Sequence, residues 1–388
     1  MQIGLVGKPS SGKSSFFKAT TMIDVPIADY PFTTIKPNVG IGYVITDCVC
    51  KEFKVKCNPQ NSLCIDGKRH IPVKLLDVPG LVPDAHLGKG MGNQFLDDLR
   101  QASCLIHIVD LSGRTDAEGK VTKGYDPCND VQFLTKEIDL WFSGIIEKGL
   151  SKYRKRMKFS KVDLVDILTD QLTGLGVIKE QIQQTLDKFS IDDIQKFASE
   201  LRKISKPIIV AANKIDLPDS EENLKKMRKE FPDLTIIPTC AIAEIALKSA
   251  HEKGLIEYKN NTFVIKEESR MDKKQLDGLK FIEENILRKY GSTGIQECLN
   301  KAVFDVLNYI VVYPVADVNK LTDTTGKNIL PDAFLIPSGT MLKEFAAKIH
   351  TDLAEKFIGG IDARTKKKLG ADYELKNNDV VEILFQKR

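Results

Sequence analysis

The chain has 388 residues, 42% hydrophobic and 28% charged, a balance ordinary for a soluble globular protein. A single hydrophobic core rarely exceeds about 250 to 300 residues, so two or three domains are expected. With 57 basic against 53 acidic residues the net charge is +4, so any nucleic-acid surface must come from local clusters. No apolar run approaches the ~18 to 20 residues of a membrane span, and Met1-Gln2-Ile3 lacks the charged region of a signal peptide. A cytoplasmic protein with no membrane partner is expected.

In chain order, Gln2 to Gly7 reads as a buried strand and Ser14 to Thr21 as the helix it feeds. Between them Gly7-Lys8-Pro9-Ser10-Ser11-Gly12-Lys13-Ser14 fits G-x-x-x-x-G-K-[ST], in the strand-to-helix context that motif requires. The glycines let successive N–H groups turn inward around a phosphate, and the helix N-terminus adds partial positive charge. Lys13 brings a cation to the β- and γ-phosphates, and the Ser14 hydroxyl is placed to ligate Mg²⁺. Ser15 completes the expected nucleotide-binding run.

Four of the eight cysteines follow, Cys48, Cys50, Cys57 and Cys64. In a cytoplasmic chain such a cluster suggests metal or reduced thiols rather than disulfides. A C-x-C pair on a strand points to opposite faces, whereas zinc hooks usually read C-x₂₋₄-C. The spacing therefore argues for a reduced, partly buried hairpin over a zinc site.

A second strand, Val73 to Leu76, ends in Asp77-Val78-Pro79-Gly80. An aspartate at the tip of a buried strand beside the cradle is placed to hold Mg²⁺, directly or through water. Gly80 can bring its N–H against the γ-phosphate, where a Cβ would obstruct. A third strand runs from Cys104 to Val109. The stretch from Gly113 to Ser205 is too long for a βα connection and must fold as a helical insertion, with apolar spacing at Val162, Val165, Leu168 and Leu172. Its basic run Lys152 to Lys161 reads as a solvated face, with a phosphate-backbone contact as the alternative.

A fourth strand, Pro207 to Ala212, ends in Asn213-Lys214-Ile215-Asp216, and a fifth, Thr235 to Pro238, ends in Thr239-Cys240-Ala241. A carboxylate at Asp216 can accept from both the N1–H and the exocyclic amine of guanine, whereas adenine offers no N1–H. The segment Cys240-Ala241 can offer a backbone N–H to the guanine O6. Buried strands alternating with helical patterns imply an α/β fold with a parallel sheet, whose ligands sit at the carboxyl ends of the strands. The reading is a site for GTP and GDP rather than ATP. From Tyr309 the pattern changes to strand, strand, short helix and closing strand, a separate α+β module; Thr340 is its candidate helix cap.

The set GKPSSGKS, YPFTT (Tyr30 to Thr34), DVPG, NKID and TCA resembles the five nucleotide motifs of the Obg-like GTPases. The stretches "DVPGLVPDAHLGKGMGNQFLDDLRQASCLIHIVD" and "LGADYELKNNDVVEIL" are similar to the YchF-related branch common in archaea. The resemblance implies a P-loop NTPase with a Ras-like G domain over 1–112 and 206–308, a helical insertion over 113–205 and a C-terminal β-grasp (TGS) domain over 309–388. It implies Thr34, with Thr33 beside it as the alternative, as the switch threonine reaching Mg²⁺ and the γ-phosphate. The implied catalytic set is then Lys13, Thr34 and Gly80, and the metal set Ser14, Thr34 and Asp77. Leu81 stands where Ras-like enzymes place a water-orienting glutamine, so intrinsic hydrolysis is expected to be slow. The run "HLGKGMG" fits a mobile second switch.

This chain keeps Asp216, where many YchF relatives lose the guanine motif and use ATP. Potassium-stimulated relatives carry asparagine where Ser10 stands here, and Cys240 replaces a serine. The implied biology is a ribosome- or RNA-associated switch, with "DARTKKKLG" (Asp362 to Gly370) as a candidate RNA-facing loop. No DNA partner is expected. The competing reading is an RNA-binding or scaffold protein whose nucleotide is structural.

Overall fold

The structure is a computed structural model and describes residues 1–22, 38–78, 92–157 and 163–386. Tyr30 to Thr34, Pro79, Gly80, Leu81, Val162 and most of "HLGKGMG" lie outside the described residues.

The strands of the larger sheet are β1 (Gln2–Val6), β2 (Val39–Asp47), β3 (Leu63–Ile65), β4 (Lys68–Asp77), β5 (Cys104–Asp110), β6 (Ile208–Asn213) and β7 (Thr235–Pro238), in the order β2-β4-β1-β5-β6-β7 with β3 paired to β4. From β4 through β1, β5 and β6 to β7 every pairing is parallel. Every residue of β5 and β6 is buried, as strands covered on both faces by helices must be. The interleaved helices are α1 (Lys13–Thr21), α2 (Gly92–Gln101), α3 (Cys128–Met157), α4 (Leu164–Leu172), α5 (Lys179–Leu186), α6 (Ile194–Ser205), α7 (Ser220–Glu230) and α8 (Ala241–Glu252). A two-stranded ribbon, β8 (Ile256–Lys259) and β9 (Thr262–Ile265), precedes α9 (Lys273–Ile282), which continues through a wide π turn, Glu283–Leu287, into α10 (Arg288–Tyr290); α11 (Ile295–Asn300) follows.

The expected helical insertion is present as α3 to α6. Val165, Leu168 and Leu172 are buried with Phe142, Phe197 and Leu201 in one apolar cluster. Arg202, 3% exposed, donates from Nε to Asp139 Oδ1 at 2.8 Å, pairing a charge that could not otherwise be buried.

Two compact units emerge. One holds the described residues within 1–24, 35–42 and 74–298; the other holds those within 43–73 and 299–388. The second unit contains β10 (Tyr309–Val315), β11 (Phe334–Pro337), α12 (Leu342–Ile349), α13 (Thr351–Glu355), β12 (Phe357–Asp362), β13 (Lys368–Leu369) and β14 (Asp379–Phe385), in the sheet order β11-β10-β14-β12-β13. The central β10 and β14 are parallel, and α12 packs on the sheet through Leu342 and Phe345 against Val312, Ile336 and Val381. Thr340 does not cap this helix. Its hydroxyl donates to the Pro337 carbonyl, and Glu344 reaches back to the Met341 N–H at 2.9 Å instead.

The hairpin between β2 and β4 belongs to this second unit, and it corrects the premise used for the cysteines. Cys48 and Cys50 lie in a tight turn after β2, not on a strand: Lys51 N–H donates to Cys48 O and Phe53 N–H to Val49 O. Side chains that would diverge on a strand converge here, and the Sγ atoms of Cys48, Cys50, Cys57 and Cys64 all lie within 4.8 Å of one another.

Candidate nucleotide-binding site

The site is built where β1, β4, β5, β6 and β7 end. After β1 the backbone turns through Ser10 (φ 65°) and Gly12 (φ 94°), both left-handed, before α1 begins at Lys13. Such a turn aims successive N–H groups inward. Its closeness explains the glycines: a Cβ on Gly7 would lie 2.6 Å from the Ile108 carbonyl oxygen, and one on Gly12 would overlap Asn213 Nδ2. Ser14 is exposed and Ser15 half-buried in the first turn of α1, while Ser11 is fully buried with an Oγ that has no protein partner.

Lys13 Nζ is ion-paired with Asp77 Oδ1, which brings the cradle lysine and the strand-end carboxylate together. The Ser14 hydroxyl and the Asp77 carboxylate are hard oxygen donors of the kind Mg²⁺ takes, so this donor set fits that ion. Thr34 and Gly80, the remaining members expected, lie outside the described residues.

Asn213 fastens the two halves together. Its Nδ2 donates to the Ser11 carbonyl at 2.9 Å, and its Oδ1 accepts from Ala241 N–H at 3.2 Å. Lys214 crosses the same gap, donating to the Ser10 carbonyl at 2.7 Å and to Asp110 Oδ2 at 2.8 Å. Asp216 accepts from the Cys240 thiol at 3.2 Å, which orients its carboxylate. Burial, the charge of Asp216 and the thiol's hydrogen bond to it combine to push the Cys240 thiol up to about 12, so Cys240 keeps the proton it donates. Asp216 also borders an open groove of about 710 Å³, formed with Leu217, Phe281 and Tyr290.

One expectation changes. The N–H groups of Cys240 and Ala241 are taken by the Thr293 carbonyl and by Asn213 Oδ1, so the expected free N–H for a base oxygen is not found at either. The value of Cys240 lies in its side chain rather than its backbone. Lys8, placed by sequence among the nucleotide contacts, turns its side chain into the protein. Its Nζ donates to the Thr115 carbonyl at 2.8 Å, pairs with Asp130 at 2.9 Å and sits 4.0 Å from the centre of the Tyr125 ring. Pro9 is held from the same side, since a Cβ on Gly119 would lie 2.6 Å from its carbonyl oxygen.

Asp110, which sequence reasoning passed over, is the hub of this buttress. It is 1% exposed and accepts from the Ser112 hydroxyl at 2.6 Å, the Thr115 hydroxyl at 2.8 Å and Lys214. Burial works to raise its pKa, but the hydrogen bonds from Lys214, Ser112 and Thr115 outweigh it and hold the carboxyl below its usual range. The signal was available, an aspartate at the carboxyl end of a largely apolar strand, in the position Asp77 takes on β4.

Comparison with known proteins agrees with this arrangement. Residues 2–138 match the family described as 50S ribosome-binding GTPase, residues 211–317 match "Obg-like GTPase YGR210-like, G4 motif-containing domain", and residues 325–385 match the TGS domain. An uncharacterised GTP-binding protein of Methanocaldococcus jannaschii is 51% identical, the match covering 98% of each chain. The ribosome-binding ATPase YchF of Mycoplasma pneumoniae is 31% identical over 66% of this chain and 70% of its own. A crystal structure of a GTP-binding protein from Pyrococcus horikoshii superposes with a TM-score of 0.80 at 40% identity, covering 100% of both chains. The P-loop cradle, the Asn213–Asp216 segment and these matches together establish that the chain belongs to the Obg-like GTPases, in the YchF-type group that joins a P-loop G domain to a C-terminal TGS domain.

Proposed function

We propose that this chain is a Mg²⁺-dependent GTP switch that hydrolyses GTP to GDP and phosphate slowly by itself and acts on the ribosome. The observation that carries the nucleotide assignment is the Asp216 carboxylate, oriented by the Cys240 thiol on the segment that Asn213 and Lys214 tie to the cradle. A carboxylate there accepts from two donors that guanine has and adenine lacks as a pair. Relatives carry both GTP-binding and ATPase names, and this residue favours GTP for the present chain.

In this reading Ser14, Thr34 and Asp77 hold Mg²⁺, which when bound would offset charge developing on the phosphate oxygens. Lys13 exchanges its pairing with Asp77 for the phosphates, and the N–H groups of the cradle and Gly80 orient the terminal phosphate. The G domain spans 1–112 and 206–308, the helical insertion 113–205 and the TGS-like domain 309–388. Leu81 has no group to orient water, so the rate rests on a partner. The ribosome-binding names of the YchF relatives support the ribosome as that partner. Among the described residues no helix is long and apolar enough to cross a membrane.

GTP turnover measured with and without ribosomal subunits tests this. Slow turnover alone and acceleration by subunits are expected. Inactivity under both conditions would favour the scaffold reading, with the nucleotide as a structural ligand.

A further inference from the structure

The four cysteines of the second unit are not accounted for by nucleotide chemistry. Cys48 and Cys57 Sγ are 3.9 Å apart, Cys50 and Cys64 Sγ are 3.8 Å apart, and all four lie within 4.8 Å of one another. A tetrahedron of thiolates at about 2.3 Å from a zinc ion has sulfur–sulfur edges of about 3.8 Å. Two independent disulfides would each need about 2.0 Å between their sulfurs and would give no reason for the pairs to meet. The backbone supports the convergence. Cys48 N–H is held by the Gly67 carbonyl across the hairpin, and Cys64 lies on β3 directly opposite Arg69 on β4.

Arg69 supplies a second, independent observation. Its side chain is 0% exposed, yet only Nη2 has a hydrogen-bond partner, the Leu330 carbonyl at 2.7 Å; Nε and Nη1 have none. A buried guanidinium without an anion is costly. The nearby Asp332 feels its charge but makes no hydrogen bond to it. Arg69 stands beside Cys64 in register, and its guanidinium lies over the Tyr313 ring at 5.1 Å. A divalent metal with four thiolates carries a net charge of about −2, an anionic neighbour of the kind this arginine lacks.

We infer that Cys48, Cys50, Cys57 and Cys64 form a tetrahedral zinc site whose net negative charge is partly offset by buried Arg69. The site is structural, because four sulfurs leave no open position for a substrate. It shapes the knuckle that grips the C-terminal module: Asn58 N–H donates to the Ile329 carbonyl, Gln60 N–H to the Pro331 carbonyl, and Glu52 accepts from both Nε and Nη2 of Arg364 at 2.6 and 2.7 Å. These contacts are made by the loop between the cysteines, so the ion holds that loop in its gripping form.

The test uses the full chain, purified without chelator. Elemental analysis is expected to give about one zinc per chain, and zinc-edge X-ray absorption a shell of sulfur alone at about 2.3 Å. Replacement by Co²⁺ is expected to give the intense visible bands of tetrahedral tetrathiolate cobalt, which Cys57→Ser loses. If that variant fails to fold, the absorption spectrum of the wild-type chain still decides. Absence of metal with four titratable thiols, two disulfides, iron in place of zinc, or nitrogen or oxygen in the zinc shell would each overturn the proposal.

Discussion

Gly12 shows how one missing side chain permits a site. Its φ of 94° is costly for any other residue, and a Cβ there would overlap the amide of Asn213 that ties the cradle to the base-recognition segment. Gly12→Ala is therefore expected to lower nucleotide affinity by at least tenfold, about 1.4 kcal/mol, in a fluorescent-nucleotide titration, while circular dichroism stays native. A second residue is expected to make stability sensitive to acid. His107 on β5 is fully enclosed, its Nδ1 has no partner, and burial, helped by the charge of Lys8, pushes its pKa down to about 3. The unfolded chain takes up a proton near pH ~6.5 but the folded chain does not, so stability falls as pH drops from about 6.5 towards 3, by up to about 1.4 kcal/mol per pH unit. Denaturant melts of His107→Asn between pH 7 and 5 are expected to show a visibly shallower loss than the wild type. An unchanged slope would assign the acid sensitivity to the carboxylates.

At the scale of elements, legibility followed burial. The strands β1, β5, β6 and β7, and the last part of β4, could be read because parallel strands covered on both faces are apolar runs, and all but β5 ended at or next to a recognised motif. The insertion could be read from length and period, and its buried Leu168 offers a direct check. Leu168→Ala is expected to cost about 2 to 5 kcal/mol and to lower the melting temperature without changing nucleotide preference, measured by calorimetry and titration. What could not be read were partnerships between residues far apart in the chain. Lys8 and Thr115, or Lys214 and Asp110, meet only after folding, so nothing in the motif shows that the Lys8 side chain faces Asp130 and Tyr125. The cysteine turn was hidden for a related reason. The alternation rule holds on a strand, and β2 stops at Asp47, one residue before the first cysteine.

For the whole molecule, the claim is that nucleotide identity is set in one unit, at Asp216, and read out by partners of the chain. Hydrogen bonds to a charged group are worth about 1.5 to 3 kcal/mol, so losing those from guanine to Asp216 costs roughly ten- to a hundredfold in affinity. The most direct measurement is competitive binding of GTP and ATP to the wild type and to Asp216→Ala in the presence of Mg²⁺. The account predicts that the wild type prefers GTP by at least tenfold and that Asp216→Ala binds the two alike. Equal affinity of the wild type for GTP and ATP would contradict it.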